Sequence, residues 1–118
     1  MTNNIITITD HSLIIEPQGL DKVWTFKDRL EIPLSHVMGA TFDPGIAEEP
    51  KGMRGPGLGM PKKFAGTFTN RGDKSFWNVS GFDRTIVIQL TDEHYERLVL
   101  TADDPKVTVD RINASVQV

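Results

Sequence analysis

The sequence contains no cysteine. That excludes thiol nucleophiles, thiolate metal sites and disulfides together, and it leaves the redox compartment undetermined. No apolar run approaches the roughly 18 residues needed to cross a bilayer as a helix, so no integral membrane segment is expected. Positive charge is also in short supply: 13 Lys and Arg stand against 16 Asp and Glu, a formal net charge of -3. A domain with that balance has no global attraction for nucleic acid or an anionic membrane, and only a local patch would override this. Met1-Thr2-Asn3-Asn4 is polar and runs straight into a strand pattern, with neither a basic n-region nor an apolar h-region. The expected location is therefore cytoplasmic.

The motifs of catalysis are missing as well. Serines occur without a Gly-x-Ser-x-Gly elbow, and the glycine-rich stretch from Gly52 to Gly59 lacks the Gly-Lys-Ser/Thr ending of a phosphate-binding loop. His11, His36 and His94 fall at separate turns or strand ends, without a partner at the close spacing of a metal motif. The acidic pairs have simpler readings than metal or acid–base chemistry. Glu48-Glu49 suits a wet loop, Asp92-Glu93 a turn, and Asp103-Asp104 a helix cap. No catalytic residue, metal ligand or cofactor is expected. A cleft gathering His36 with a carboxylate and Arg54 would reopen the question. Arg71-Gly72-Asp73 and the sequons at Asn78 and Asn113 read as a hairpin turn and as chance matches, since nothing signals secretion.

What the chain does contain is strand. Its 118 residues are 38% hydrophobic and 25% charged, the balance of one ordinary domain spanning residues 1–118. Ile5–Thr9 and Ser12–Glu16 are β-branched or apolar runs around a turn at Asp10-His11, which reads as a hairpin. The stretch Leu20–Lys27 fits a helical turn and a strand equally well. Arg29–Leu34 and Val37–Phe42 follow as strands, the first with Pro33 at its end and the second with Gly39 as a bulge. Phe64–Phe68, Lys74–Val79, Thr85–Leu90 and Arg97–Thr101 complete about seven strands in sequential hairpins. Phe76 and Trp77 are adjacent, so they point to opposite faces; one is expected to face out or to lie under a loop. Asp103-Asp104-Pro105 caps a terminal helix of about three turns, docked by Val109, Ile112 and Val116 at spacings of three and four.

One segment has a different character. Residues 43–62 contain Pro44, Pro50, Pro56 and Pro61 with five glycines, which excludes a helix or a central strand and predicts a long surface loop.

The order of these pieces resembles the pleckstrin-homology-like (PH-like) domains, and their wording resembles small bacterial PH-like proteins of uncharacterised function. The residues that carry it are Leu30-Glu31-Ile32-Pro33-Leu34-Ser35-His36-Val37, Arg54-Gly55-Pro56-Gly57, Ala65-Gly66-Thr67-Phe68, Phe76-Trp77-Asn78-Val79, Ile86–Leu90 and Asp103-Asp104-Pro105. The resemblance implies a mainly-β fold: a bent antiparallel sheet or partial barrel, with a C-terminal helix plugging one end. It implies no catalytic residue, because such folds host lipid binding, peptide binding and scaffolding alike.

Charge along the chain is lopsided. From Lys51 to Lys74, Lys51, Arg54, Lys62, Lys63, Arg71 and Lys74 are opposed only by Asp73, whereas from Asp92 to Asp110 six acidic residues stand against Arg97 and Lys106. Met53 and Leu58 add apolar groups to a segment expected to be wet. The expectation is a non-enzymatic binding or scaffold module. It would contact a protein partner or itself through the Gly/Pro loop from Pro44 to Pro61, which carries Met53 and Leu58, and through exposed strand edges. The alternative is a small anionic ligand or lipid headgroup held by Lys51, Arg54, Lys62 and Lys63.

Overall fold

The computed structural model describes residues 4–18, 29–44, 53–60, 63–70, 73–80 and 83–116. Leu20–Lys27, left open between helix and strand, lies outside them. β1 (Asn4–Ile8), β2 (Ser12–Pro17) and β3 (Leu30–Pro33) form a three-stranded antiparallel sheet in that order. A 3-10 turn (Leu34–His36) leads into β4 (Val37–Phe42). A second sheet then gathers β4 with β5 (Met53–Met60), β6 (Lys63–Asn70), β7 (Asp73–Ser80), β8 (Thr85–Leu90) and β9 (Arg97–Thr101). Its order is β4-β8-β9-β7-β6-β5. Helix α1 (Pro105–Val116) follows.

The fold is mainly β with a C-terminal helix, and the sheets do not close into a barrel. Two expectations are corrected. The strands are not all joined as sequential hairpins: β7 pairs in parallel with β9, and β8 turns away to pair with β4. Nor is the Gly/Pro segment loop throughout, because Met53–Met60 is strand β5. The exclusion of a central position stands, since β5 ends the six-stranded order. Its ladder with β6 slips between Arg54 and Gly57, around Pro56, which has no N–H to give. Across from Gly57 lies Gly66 at φ 121°, a backbone conformation that favours glycine.

Packing follows the two-residue period. The small sheet lays Leu13, Ile15, Leu30 and Ile32 against Phe76, Ile86, Ile88, Leu98 and Leu100 of the large one. The alternate residues Trp77, Val79, Val87 and Val99 form a second buried cluster with Phe68 on the opposite face. Phe76 and Trp77 do point to opposite faces, and both are fully buried. Trp77 meets Phe68 edge-on at 5.7 Å between ring centroids. The large sheet thus has apolar clusters on both faces, which is why β8 and β9 are buried at nearly every residue and hold the apolar runs Ile86–Ile88 and Leu98–Leu100.

The helix docks as its spacing predicts. Asp104 accepts the first helical bond from Thr108 at 3.0 Å, Pro105 opens the helix, and Ile112 is buried between the half-buried Val109 and Val116. Asn113 shares that apolar stripe. Its Oδ1 accepts from the Ala40 N–H at 2.8 Å and its Nδ2 donates to the Ala40 carbonyl at 3.0 Å. One side chain so satisfies both backbone groups of a residue on the edge strand β4, just past the bulge at Gly39. Lys106 lies 5.9 Å from the Phe42 ring centroid and ties the start of the helix to the same strand.

A second amide joins the sheets. Asn4 Nδ2 donates to the carbonyls of Thr101 (3.0 Å) and Asn78 (3.2 Å), and Asn78 Nδ2 donates to Asn4 Oδ1 (2.8 Å). Both side chains are buried. Replacing Asn78 with Ala leaves the buried Asn4 Oδ1 without this donor, and the expected loss is about 2 kcal/mol. It should appear as a lower urea midpoint at unchanged m, and Asn113→Ala, which unpairs Ala40, should lose a similar amount. A shift equivalent to less than about 0.5 kcal/mol in either would show that the pair is incidental.

Candidate functional site

The residues expected to bind a ligand or partner do not converge on one point of the backbone. Lys51 and Lys62 lie outside the described residues. Met53, Arg54 and Leu58 are on β5, and Lys63 opens β6. Arg54 pairs with Phe68 and Lys63 with Met60, so the two cationic residues sit near opposite ends of the β5–β6 ladder. At about 3.3 Å per residue, that is a separation of roughly 15–20 Å along the strands.

The histidine and acidic positions come closer to a site. His36, at the end of the 3-10 turn, contacts Glu93 through Nδ1 and Oε2. A carboxylate only accepts, so the Nδ1 carries the proton and donates. The His36 carbonyl also accepts from the Thr91 N–H at 2.9 Å, which fastens both ends of the residue to the β8–β9 connection. That connection bends sharply, with Asp92 in the left-handed region at φ 58°. Beside it opens a cleft of about 440 Å³ with Asp73, Asp92, Glu93 and Glu96 on its walls and Lys74 and His94 among them. His94 stacks edge-on against Tyr95, whose hydroxyl lies 3.4 Å from Thr67 Oγ1.

The arrangement that would have pointed to catalysis, His36 with a carboxylate and Arg54, is half present. His36 and Glu93 meet. Arg54 is on β5, whereas His36 leads into β4, and these two strands are the opposite edges of the large sheet. Five strand spacings of about 4.8 Å separate them. No group of three or more His, Asp or Glu among the described residues is placed to hold a metal ion. The His36–Glu93 pair works as a latch between the β3–β4 and β8–β9 connections.

Sheet edges are the remaining candidates, because an edge offers unpaired backbone donors and acceptors to any extended chain. Three of the four edges carry a safeguard. β4 has Ala40 taken by Asn113, and β5 has Pro56 and a slipped register. β3 is four residues long, ends on Pro33 and bears the Arg29–Glu31 ion pair at 3.1 Å. β1 has none of these. Its sequence Asn-Ile-Ile-Thr-Ile holds no charge, no proline and no bulge.

The hydrogen-bond phase of β1 is fixed by its hairpin. Thr9 donates to the Ser12 carbonyl at 2.9 Å, and antiparallel ladders alternate. Thr7 and Ile5 therefore bond to β2, while Ile6 and Ile8 direct their N–H and C=O groups outward. Those groups have no hydrogen-bond partner among the described residues. α1 flanks this edge and runs in the same direction. One groove of about 310 Å³ lies between Asn4–Ile6 and the first half of the helix, and another of about 360 Å³ between Ile8–Asp10 and its second half. Ile5 and Val107, 46% and 50% exposed, line the first groove together.

Sequence reading identified β1 as a strand, but not its place at an unguarded edge. The available signal was local: five consecutive uncharged residues beside a tight turn. No family model, curated protein or solved structure matches this chain. No described helix is long and apolar enough to cross a membrane.

The latch is testable. Glu93→Ala should lower stability by about 1 kcal/mol, while Glu93→Gln, which keeps an acceptor for His36, should lose less than half of that. Thermal unfolding of the two variants separates a hydrogen-bonded latch from a contact of no consequence, for which both would match the parent.

Proposed function

We propose that this chain is a non-enzymatic binding module that engages other protein through the free edge of its small sheet. The observation that supports the reading is the outward-facing backbone of Ile6 and Ile8, unpaired among the described residues, on an edge without charge, proline or bulge. Strand addition at such an edge gains main-chain hydrogen bonds from the partner and takes its selectivity from the flanking side chains. Here those are Ile5 on β1 and Val107 on α1, two large apolar groups held on one groove by rigid elements. The PH-like resemblance enters as an expectation of binding rather than catalysis. The corrected strand order gives it no added support.

The reading requires the edge to be open in the lone chain. Amide hydrogen exchange, resolved by residue at low protein concentration, tests this directly. Ile5 and Thr7, bonded to β2, should exchange slowly, and Ile6 and Ile8 should exchange at least about a hundredfold faster. Equal protection of all four would mean that the chain's own residues already cover the edge, and the reading would fall.

A further inference from the structure

We infer that the occupant of the β1 edge is a second copy of the same chain, paired antiparallel to the first about a two-fold axis at Ile6. This rests on the edge-binding reading and supplies its partner. Three features of the edge are self-complementary.

The first is the hydrogen-bond phase. A two-fold axis at Ile6 sets Asn4 opposite Ile8, Ile5 opposite Thr7, and Ile6 opposite itself. The alternation fixed by the Thr9–Ser12 bond makes Asn4, Ile6 and Ile8 the outward-bonding residues. Each outward residue of one copy then meets an outward residue of the other, so every facing pair can exchange both of its bonds. An axis midway between two residues would set outward-bonding residues against inward-bonding ones and form none, and an axis at Thr7 would keep only the Ile6–Ile8 pairs within β1.

The second is charge. An isologous antiparallel junction repeats every contact, so any like charges it sets opposite each other are penalised twice. β1 has no charge to repeat. Like charges at positions 5 and 7 would face each other across such a junction, and β1 carries none there.

The third lies on the helix. Asp104 lines the groove beside Asn4–Ile6, and Arg111 lines both grooves, next to the middle of the strand. The two-fold reverses this direction, so the Arg111 level of one copy falls against the Asp104 level of the other. Opposite charges are thereby paired on both sides of the axis. The product is a six-stranded sheet built from two three-stranded ones, and the edge left without safeguards is the one the assembly covers.

Light scattering after size exclusion, over a concentration series of the full chain, should give twice the 13.2 kDa chain mass at the upper end. Ile5→Lys/Thr7→Lys places lysines directly opposite each other in the proposed register, at positions exposed on the lone chain. It should weaken the dimer by about tenfold or more while leaving thermal unfolding of the monomer intact. Ile5→Glu/Thr7→Glu should do the same, and an equimolar mixture of the two variants should restore a dimer.

Three results overturn the inference: a parent that stays monomeric throughout, a lysine variant that dimerises as the parent does, or a mixture that fails to recover. The amide-exchange result separates these from failure of the underlying reading. A monomeric parent with fast exchange at Ile6 and Ile8 has an open edge meant for a different protein. A monomeric parent with slow exchange there has no open edge at all.

Discussion

The pairing of Asn4 with Asn78 is the constraint on which the arrangement of the two sheets depends. The sheets share no ladder, so among the described residues no strand-to-strand backbone hydrogen bond fixes how one lies over the other. Apolar contacts between Leu13, Ile15, Phe76 and Leu100 favour burial but are non-directional, and such faces can slide. Two buried amides and the Thr101 carbonyl are not so permissive. Their donors find acceptors in one relative position, and a slip would leave buried polar groups without partners. Since Asn4 belongs to β1, the same bonds decide which face of β1 turns inward. Ile6 and Ile8 then pack against the core, and Ile5 and Thr7 look out.

From that constraint the treatment of the edges follows. Once β1 is held at the margin of the small sheet, its outward backbone runs beside α1, which is itself positioned by Asn113 on Ala40. The two asparagine devices thus do different work. One closes an edge by satisfying it with a side chain. The other anchors an edge strand without closing it. A helix set alongside an open strand gives that strand a wall, and the exposed Ile5 and Val107 sit on the two sides of the space between.

Much of this was legible in the residues. The β1–β2 hairpin, the bulge at Gly39, the strands after residue 63 and the Asp-Pro start of the helix are local signals, and each was read from neighbouring residues. The asparagines were legible in part. Asn113 sits four residues after Val109 and three before Val116, a polar group on the apolar stripe. Asn78 sits two residues after Phe76, on the same face of β7. A polar residue on a core-facing position is a sign of a specific hydrogen-bond demand, although its partner lies 73 or 74 residues away and no local pattern names it. The cationic residues expected to bind on the Gly/Pro segment, Lys51, Arg54, Lys62 and Lys63, rest on charge along the chain. Charge in sequence says little about clustering once a strand spreads Arg54 and Lys63 to the two ends of a ladder.

Strand order was the larger miss, and its cause lies in which strands can tolerate the middle of a sheet. A reading by sequential hairpins assumes that chain neighbours are sheet neighbours. β7 and β8 break that rule, because β9 comes back between them and pairs in parallel with β7. The outcome sorts the strands by composition. β8 and β9, buried at nearly every residue, stand in the interior, where apolar groups are buried on both faces. β5, with its glycines and Pro56, is at an edge, where a missing donor does no harm. Ser80 and Arg97 are far enough apart in sequence for the chain to lay down β8 first and return. The same sorting applied to the small sheet places β2, whose Leu13, Ile14 and Ile15 are all buried, between two shorter strands. It leaves β1 outermost. That an edge should be uncharged and, after Asn4, wholly β-branched is therefore the one place where composition and position disagree, and a second strand laid against it removes the disagreement.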